Sequence, residues 1–171
     1  MELEKLLWDP RHLLLLLYAA DENIQARVTR HDGPVLQDDA FVVELRAAGP
    51  IDSRWTIAIS ATGVVADAEQ DGVTLRPGWE SGIRVSAVRD GTLNDPRDRD
   101  EEWIVKAALP LRAIRMAGHA GSQIWIRISR CDTPLDGKRR SGAWGGHAAG
   151  MIDGVLELGS DRRVESPATS R

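Results

Sequence analysis

The adjacent carboxylates Asp38 and Asp39 are hard oxygen donors, and with Asp32 or Asp132 they would make the kind of ligand set that calcium takes. A solvated turn accounts for the same residues, because Asp32 opens the turn Asp32-Gly33-Pro34. The loop holding Asp95, Asp98 and Asp100 lacks the glycine and ligand spacing of a calcium loop. Arg130 and Asp132 follow a strand end, where they would form either a polar lip that hydrogen-bonds a hydroxyl-rich ligand or a salt bridge that holds a loop. Six tryptophans stand beside one phenylalanine and one tyrosine, and the indole face is the best surface for stacking on the C–H bonds of a saturated ring. Trp79 and Trp144 lie in glycine-flanked segments that can present a ring to a ligand, whereas Trp55, Trp103 and Trp125 lie inside alternating runs and are expected in the core. Trp8 is expected to cap the first strand.

Other chemistries find no foothold. His12, His31, His119 and His147 show no zinc-ligand spacing, and the single cysteine, Cys131, allows neither an intrachain disulfide nor a cysteine cluster. No nucleophile elbow, phosphate loop or dinucleotide fingerprint occurs, so no enzyme activity is expected. The net charge of −4 argues against a nucleic-acid or anionic-membrane partner, and the basic run Lys138 to Arg140 is too short to change that. Leu13 to Ala20 is far shorter than a membrane span and reads as a strand buried on both faces. Met1 to Leu7 lacks the pattern of a secretory signal.

The elements that would position these residues are strands. Trp55, Ile57 and Ile59 alternate with Thr56, Ala58 and Ser60. Ile83, Val85 and Ala87 alternate with Arg84 and Ser86, and Ile124, Ile126 and Ile128 with Trp125, Arg127 and Ser129. A period of two places one face of each run on a core. Turn chemistry falls between runs at Asp32-Gly33-Pro34, Ala48-Gly49-Pro50, Asp71-Gly72, Pro77-Gly78, Asp90-Gly91, Asp136-Gly137 and Asp153-Gly154. The pattern predicts an all-β, antiparallel, jelly-roll-like β-sandwich of roughly nine to eleven strands. One short helix, entered through Pro110, is expected near residues 109–117. At 171 residues a single domain over 1–160 is expected, followed by a frayed polar tail over 161–171.

Several stretches, in order and spacing, resemble the family 9-like carbohydrate-binding modules, a β-sandwich family related to DOMON domains. These are Asp21, Asn23 and Ile24; Asp32-Gly33-Pro34; the pair Asp38-Asp39; Trp79 and Gly82; Asp90 to Asp95; Trp103 and Pro110; then Trp125, Arg130, Asp132 and Trp144. The resemblance covers residues 4–158. It implies a non-catalytic module that binds a mono- or oligosaccharide, in an extracytoplasmic setting, and a cleft built on Trp144 and Trp79 with polar help from Gln37, Asp39, Arg130 and Asp132. The chain departs from the family clamp. The first stacking aromatic falls at Val35 or Leu36, the acidic residue of the next strand at Val42 with Glu44 two places on, and a polar position at Ser60. The family's extra opening strand is absent, which predicts an exposed strand edge at Leu13 to Leu17 and a homodimer formed through it.

Two other functions are open. A degenerate sandwich would serve as a protein-interaction or assembly module. A haem-binding cytochrome domain would draw on Met116, Met151, His119 and His147 as ligands.

Overall fold

The computed structural model describes residues 2–47, 53–76, 78–135, 140–143 and 153–159. Eleven strands are found among them: β1 (Glu2–Trp8), β2 (His12–Ala20), β3 (Ala40–Ala47), β4 (Ser53–Ser60), β5 (Val65–Asp71), β6 (Thr74–Arg76), β7 (Arg84–Asp90), β8 (Glu102–Pro110), β9 (Gln123–Asp132), β10 (Arg140–Ala143) and β11 (Asp153–Glu157). All pairings are antiparallel. One sheet runs β1-β2-β8-β7, and the other β10-β9-β3-β4-β5-β6, with β11 beside β9 as well. The result is the all-β sandwich that the alternation predicts.

The two inward faces interdigitate. Leu13, Leu15, Leu17, Trp103, Val105 and Leu109 from the smaller sheet meet Phe41, Val43, Leu45, Trp55, Ile57 and Ile126 from the larger in one buried cluster. Trp103 is its centre of gravity in chemical terms. Its ring is fully buried 4.4 Å from that of Phe41, and its indole N–H donates to Asp21 Oδ2 at 2.9 Å. One side chain therefore closes the apolar core and fixes a polar group at its edge.

Several local expectations change. Leu13 to Ala20 is not buried on both faces, because Leu13, Leu15, Leu17 and Ala19 point inward while Leu14, Leu16 and Tyr18 face outward and are only half-buried. Nor is that strand an edge: Glu2 to Trp8 forms β1, which pairs with β2 along its length, while β8 pairs with the other side. Its apolar run is long because it serves a central strand, and the outer edges of this sheet are β1 and β7. Trp125 lies on the outer face of β9, half-buried, with the Arg46 guanidinium 4.3 Å from the ring centroid. A cation stacked on an indole explains why an aromatic stands on the solvent side. Trp8 ends β1, as a capping residue would, and packs against the core.

The short helix is a single 3-10 turn at Leu111–Ile114, entered from Pro110, and a second such turn covers Val35–Gln37. Asp71-Gly72 does turn: β5 and β6 are joined through Gly72 at φ 59°. Asp153-Gly154 instead opens β11, where Gly154 pairs with Ile126 and the ladder along β9 supplies the missing backbone partners. The turns expected at 48–50 and 136–137, and the tail over 161–171, lie outside the described residues.

Trp103→Ala should destabilise the fold by about 3–5 kcal/mol, the range for emptying a buried aromatic site, as measured by denaturant unfolding. A loss below about 1 kcal/mol would contradict the packing described.

Candidate functional site

The ends of β2, β4, β7 and β9 and the starts of β3, β5 and β8 gather at one end of the sandwich. There the chain between β2 and β3 crosses from one sheet to the other without strand partners. Its backbone N–H groups are met by side-chain oxygens, residue after residue. Asn23 N–H donates to Asp21 Oδ1, Ile24 to Asp100 Oδ2, Gln25 to Asp39 Oδ2, Ala26 to Asn94 Oδ1, and Arg27 and Val28 to the two oxygens of Asp38, at 2.6 to 3.0 Å. Asp39 Oδ1 accepts a further bond from the Thr133 N–H at 2.7 Å, and Asp100 Oδ1 one from Thr92 at 2.6 Å. Asp21, Asp38, Asp39 and Asp100 are all buried.

Arg130 supplies the positive charge. Its guanidinium donates to Ala20 O at 3.0 Å, to Asp21 Oδ2 at 2.7 Å and to Asp132 Oδ1 at 2.5 Å, with the side chain 10 % exposed. Arg130 and Asp132 thus form the loop-holding ion pair, tying the end of β9 to the end of β2. Asp21, Asp39 and Asp132 bring ligand atoms within 4.8 Å of one another. Asp32, by contrast, sits with His31 and Glu80, so the carboxylates grouped as one calcium set divide between two places. Burial pushes the Asp39 carboxyl up to about 7; its bond from Gln25 N–H opposes this, the charges of Asp21 and Asp132 add to it, and the Thr133 N–H opposes it again.

The outer face of the larger sheet adjoins this end. Behind Ala40, Ser60 and Cys131 it carries a row of Ala66, Ala58, Val42 and Ser129, in register across β5, β4, β3 and β9. The Val35–Gln37 turn lies over it: Val35 is fully buried against Ala40 and Ala58, while Leu36 is 51 % exposed and Gln37 is exposed beside it. Of the two positions aligned with the first clamp aromatic, then, Leu36 is the one that stands outward. Ser60 is buried, its hydroxyl hydrogen-bonded to Thr62 and accepting the Val64 N–H. Glu44 pairs with Arg127 at 3.6 Å.

Trp79 does not join Arg130 and Asp132; it is half-buried against the main core, in the segment between β6 and β7. Trp144, His147 and Met151 lie outside the described residues. Met116 packs against the core, and His119 is exposed, with Nδ1 2.9 Å from Ala120 O. Sequence reading missed the pairing of His31 with Glu80 and the placement of Asp67 and Glu69 on the inward face of β5. The signal was present: Val65, Asp67 and Glu69 share one face of an alternating run, and a carboxylate on an apolar face demands a partner.

No protein-family model matches the chain, and no curated protein does. Solved structures share its fold, two of them as follows. A candidate carbohydrate-binding protein from Bacteroides uniformis superposes with a TM-score of 0.64 at 16% identity, over 86% of this chain and 73% of its own. A family 9 carbohydrate-binding module from Caldicellulosiruptor kristjanssonii, in complex with cellotriose, does so with a TM-score of 0.57 at 14% identity, over 98% of this chain and 80% of its own. The fold is that of the family 9-like modules, as the sequence resemblance implies.

Asp39 yields a pH test. Its folded value lies above the unfolded one, so between about pH 4 and 7 the native state holds a proton that the unfolded chain has released, and this group's contribution to stability falls as pH rises through that window. The stability advantage of wild type over Asp39→Asn should therefore be larger at pH 5 than at pH 8 in denaturant titrations. An advantage that grows with pH would contradict this assignment.

Proposed function

We propose that this chain is a non-catalytic carbohydrate-binding module. The observation that carries this reading is the match of nearly the whole chain to a family 9 module in complex with cellotriose. The loop end supports it physically. A rigid frame of buried ion pairs and capped backbone holds the short Leu36-Gln37 turn and Asp132, whose side chain is 24 % exposed, at the rim of an open sheet face. In this proposal Trp144, which follows β10 directly in sequence, supplies the stacking face. Gln37 and Asp132 bond the sugar hydroxyls, while Arg130 and Asp39 position them from behind. Leu36 offers apolar area but no π face, so one side of the ring is gripped weakly and millimolar affinity is expected.

Mono- and oligosaccharides, cellotriose among them, should produce saturable NMR shift changes at millimolar concentration. Trp144→Ala should abolish them and Gln37→Ala weaken them. Running the titration with and without calcium tests whether an ion at Asp21, Asp39 and Asp132 contributes. No shift change at any sugar concentration up to tens of millimolar would reject the proposal.

One observation favours a second reading, an interaction module. The outer face of the smaller sheet presents Leu7, Leu14, Leu16 and Ala108 beside Lys5, Arg84 and Lys106 around an open trough of about 450 Å³. Self-association detected by sedimentation, broken by Leu16→Glu and accompanied by no sugar response, would establish that reading instead.

A further inference from the structure

A separate group of donor atoms lies on the flank of the sandwich, where the segment between β6 and β7 passes the turn at Asp32. His31 Nε2 is 3.0 Å from Glu80 Oε2 and 3.6 Å from Asp32 Oδ1, and the three ligand atoms all lie within 4.8 Å of one another. Donors bound at about 2.1 Å to one ion stand about 3.0–3.4 Å apart in octahedral or tetrahedral geometry, so the spacing approximates one face of a coordination shell. Taken alone, this could be an exposed ion-pair cluster.

Asp67 is the independent observation. It occupies the inward face of β5 and is 5 % exposed. Its Oδ2 accepts both the N–H and the hydroxyl of Ser81, yet its Oδ1 is buried with no hydrogen-bond partner. No Lys or Arg forms an ion pair with it among the described residues. Asp67 lines, together with His31, Glu80, Thr29 and Ser81, a cavity of about 270 Å³. A buried carboxylate oxygen with neither donor nor cation costs about 1–3 kcal/mol or more, and a cation in that cavity would remove the cost. The Asp67 N–H also donates to Asp32 Oδ1 at 3.3 Å, which couples the two carboxylates through the backbone.

We propose that His31, Asp32 and Glu80 form a site for a divalent metal ion of the zinc class, with Asp67 as the buried negative charge in the lining of the same cavity. One imidazole among carboxylates selects an ion that takes mixed nitrogen and oxygen donors, whereas calcium prefers oxygen alone. The ion would staple the segment leading into β7 to the turn after residue 30, joining the flank of one sheet to the other. The site is independent of sugar binding.

The test uses the full-length, tag-free chain, stripped with EDTA, and titrates Co²⁺ by visible absorption and Zn²⁺ by calorimetry. The expected result is one saturable equivalent, reversed by EDTA, with a thermal midpoint that rises on adding Zn²⁺. His31→Ala and Glu80→Gln, both at exposed positions, should each weaken binding by at least about tenfold, and Asp67→Asn should do the same if it folds. Asp132→Asn should leave it unchanged. Absence of binding up to about 1 mM metal, or binding that survives His31→Ala and is lost in Asp132→Asn, overturns the proposal.

Discussion

The structure depends on how a bare stretch of backbone crosses between two sheets. Between Ala20 and Ala40 the chain leaves one layer and enters the other, and residues 23–28 have no strand to pair with. A buried N–H group without an acceptor would cost about 1–3 kcal/mol, so leaving only those of Asn23, Ile24 and Ala26 unmet would take up a large share of the stability of an ordinary domain. Instead, six consecutive N–H groups each find a side-chain oxygen, from Asp21, Asp100, Asp39, Asn94 and twice from Asp38. The acceptors come from before, within and well beyond the crossing. Carboxylates suit the task because an ionised oxygen makes a stronger bond to an N–H than a neutral one, and because each has two oxygens to offer. Asn94 does more, accepting from the Ala26 N–H and donating to the Ala26 carbonyl.

That arrangement recasts the acidic residues. A concentration of buried carboxylates must be balanced: Arg130 does so for Asp21 and Asp132, backbone dipoles do so for Asp38 and Asp100, and Asp39 is relieved by holding its proton up to about pH 7. The turn at Asp90-Gly91 belongs to the same construction. Gly91 adopts φ 139°, and a Cβ there would collide with the Asp100 side chain that caps Ile24 and Thr92. The residues by which the sequence resembles the family 9-like modules are therefore largely those that build the crossing. Outside it stand the exposed Leu36 and Gln37, with Ala66, Val42 and Ser129 on the adjoining sheet face.

Layering was legible in the sequence because period-two burial is a local property. Trp55, Ile57 and Ile59 point to the core for the same reason in the chain as in the pattern. Partner identity was not legible, since it is set by residues far apart: Ile24 and Asp100 are separated by 76 positions, Trp103 and Asp21 by 82. The sequence shows Asp38 and Asp39 as adjacent oxygen donors, but not the N–H groups of Gln25, Arg27, Val28 and Thr133 that they accept from. Trp125 misled in another way. Alternation puts Trp125 on the face of Arg127 and Ser129, but an indole counts as apolar in any pattern, and Arg46 across the strand pair is what accommodates it on the outer one. Strand β1 was missed because Glu2, Glu4 and Lys5 dilute a short run whose pairing with β2 fixes it nonetheless.

The two inward acids of β5 show how the same constraint is met in one place and differently in the next. Glu69 faces the core but accepts from the Trp55 indole N–H at 3.2 Å and pairs with Arg115 at 2.7 Å. Arg115 is the left-handed residue, φ 53°, that ends the 3-10 turn, and its partly exposed guanidinium also donates to Ser53 Oγ at 2.9 Å. Asp67, two residues earlier, has Ser81 on one oxygen only. The difference lies in what each neighbouring segment brings. The 3-10 turn after β8 carries a cation toward Glu69, whereas the segment before β7 carries Glu80 and meets His31, adding negative charge and an imidazole near Asp67. Among the described residues the other buried carboxylates are matched by N–H groups or a guanidinium, and the one buried carboxylate oxygen left unmatched lies beside the residues able to hold a cation.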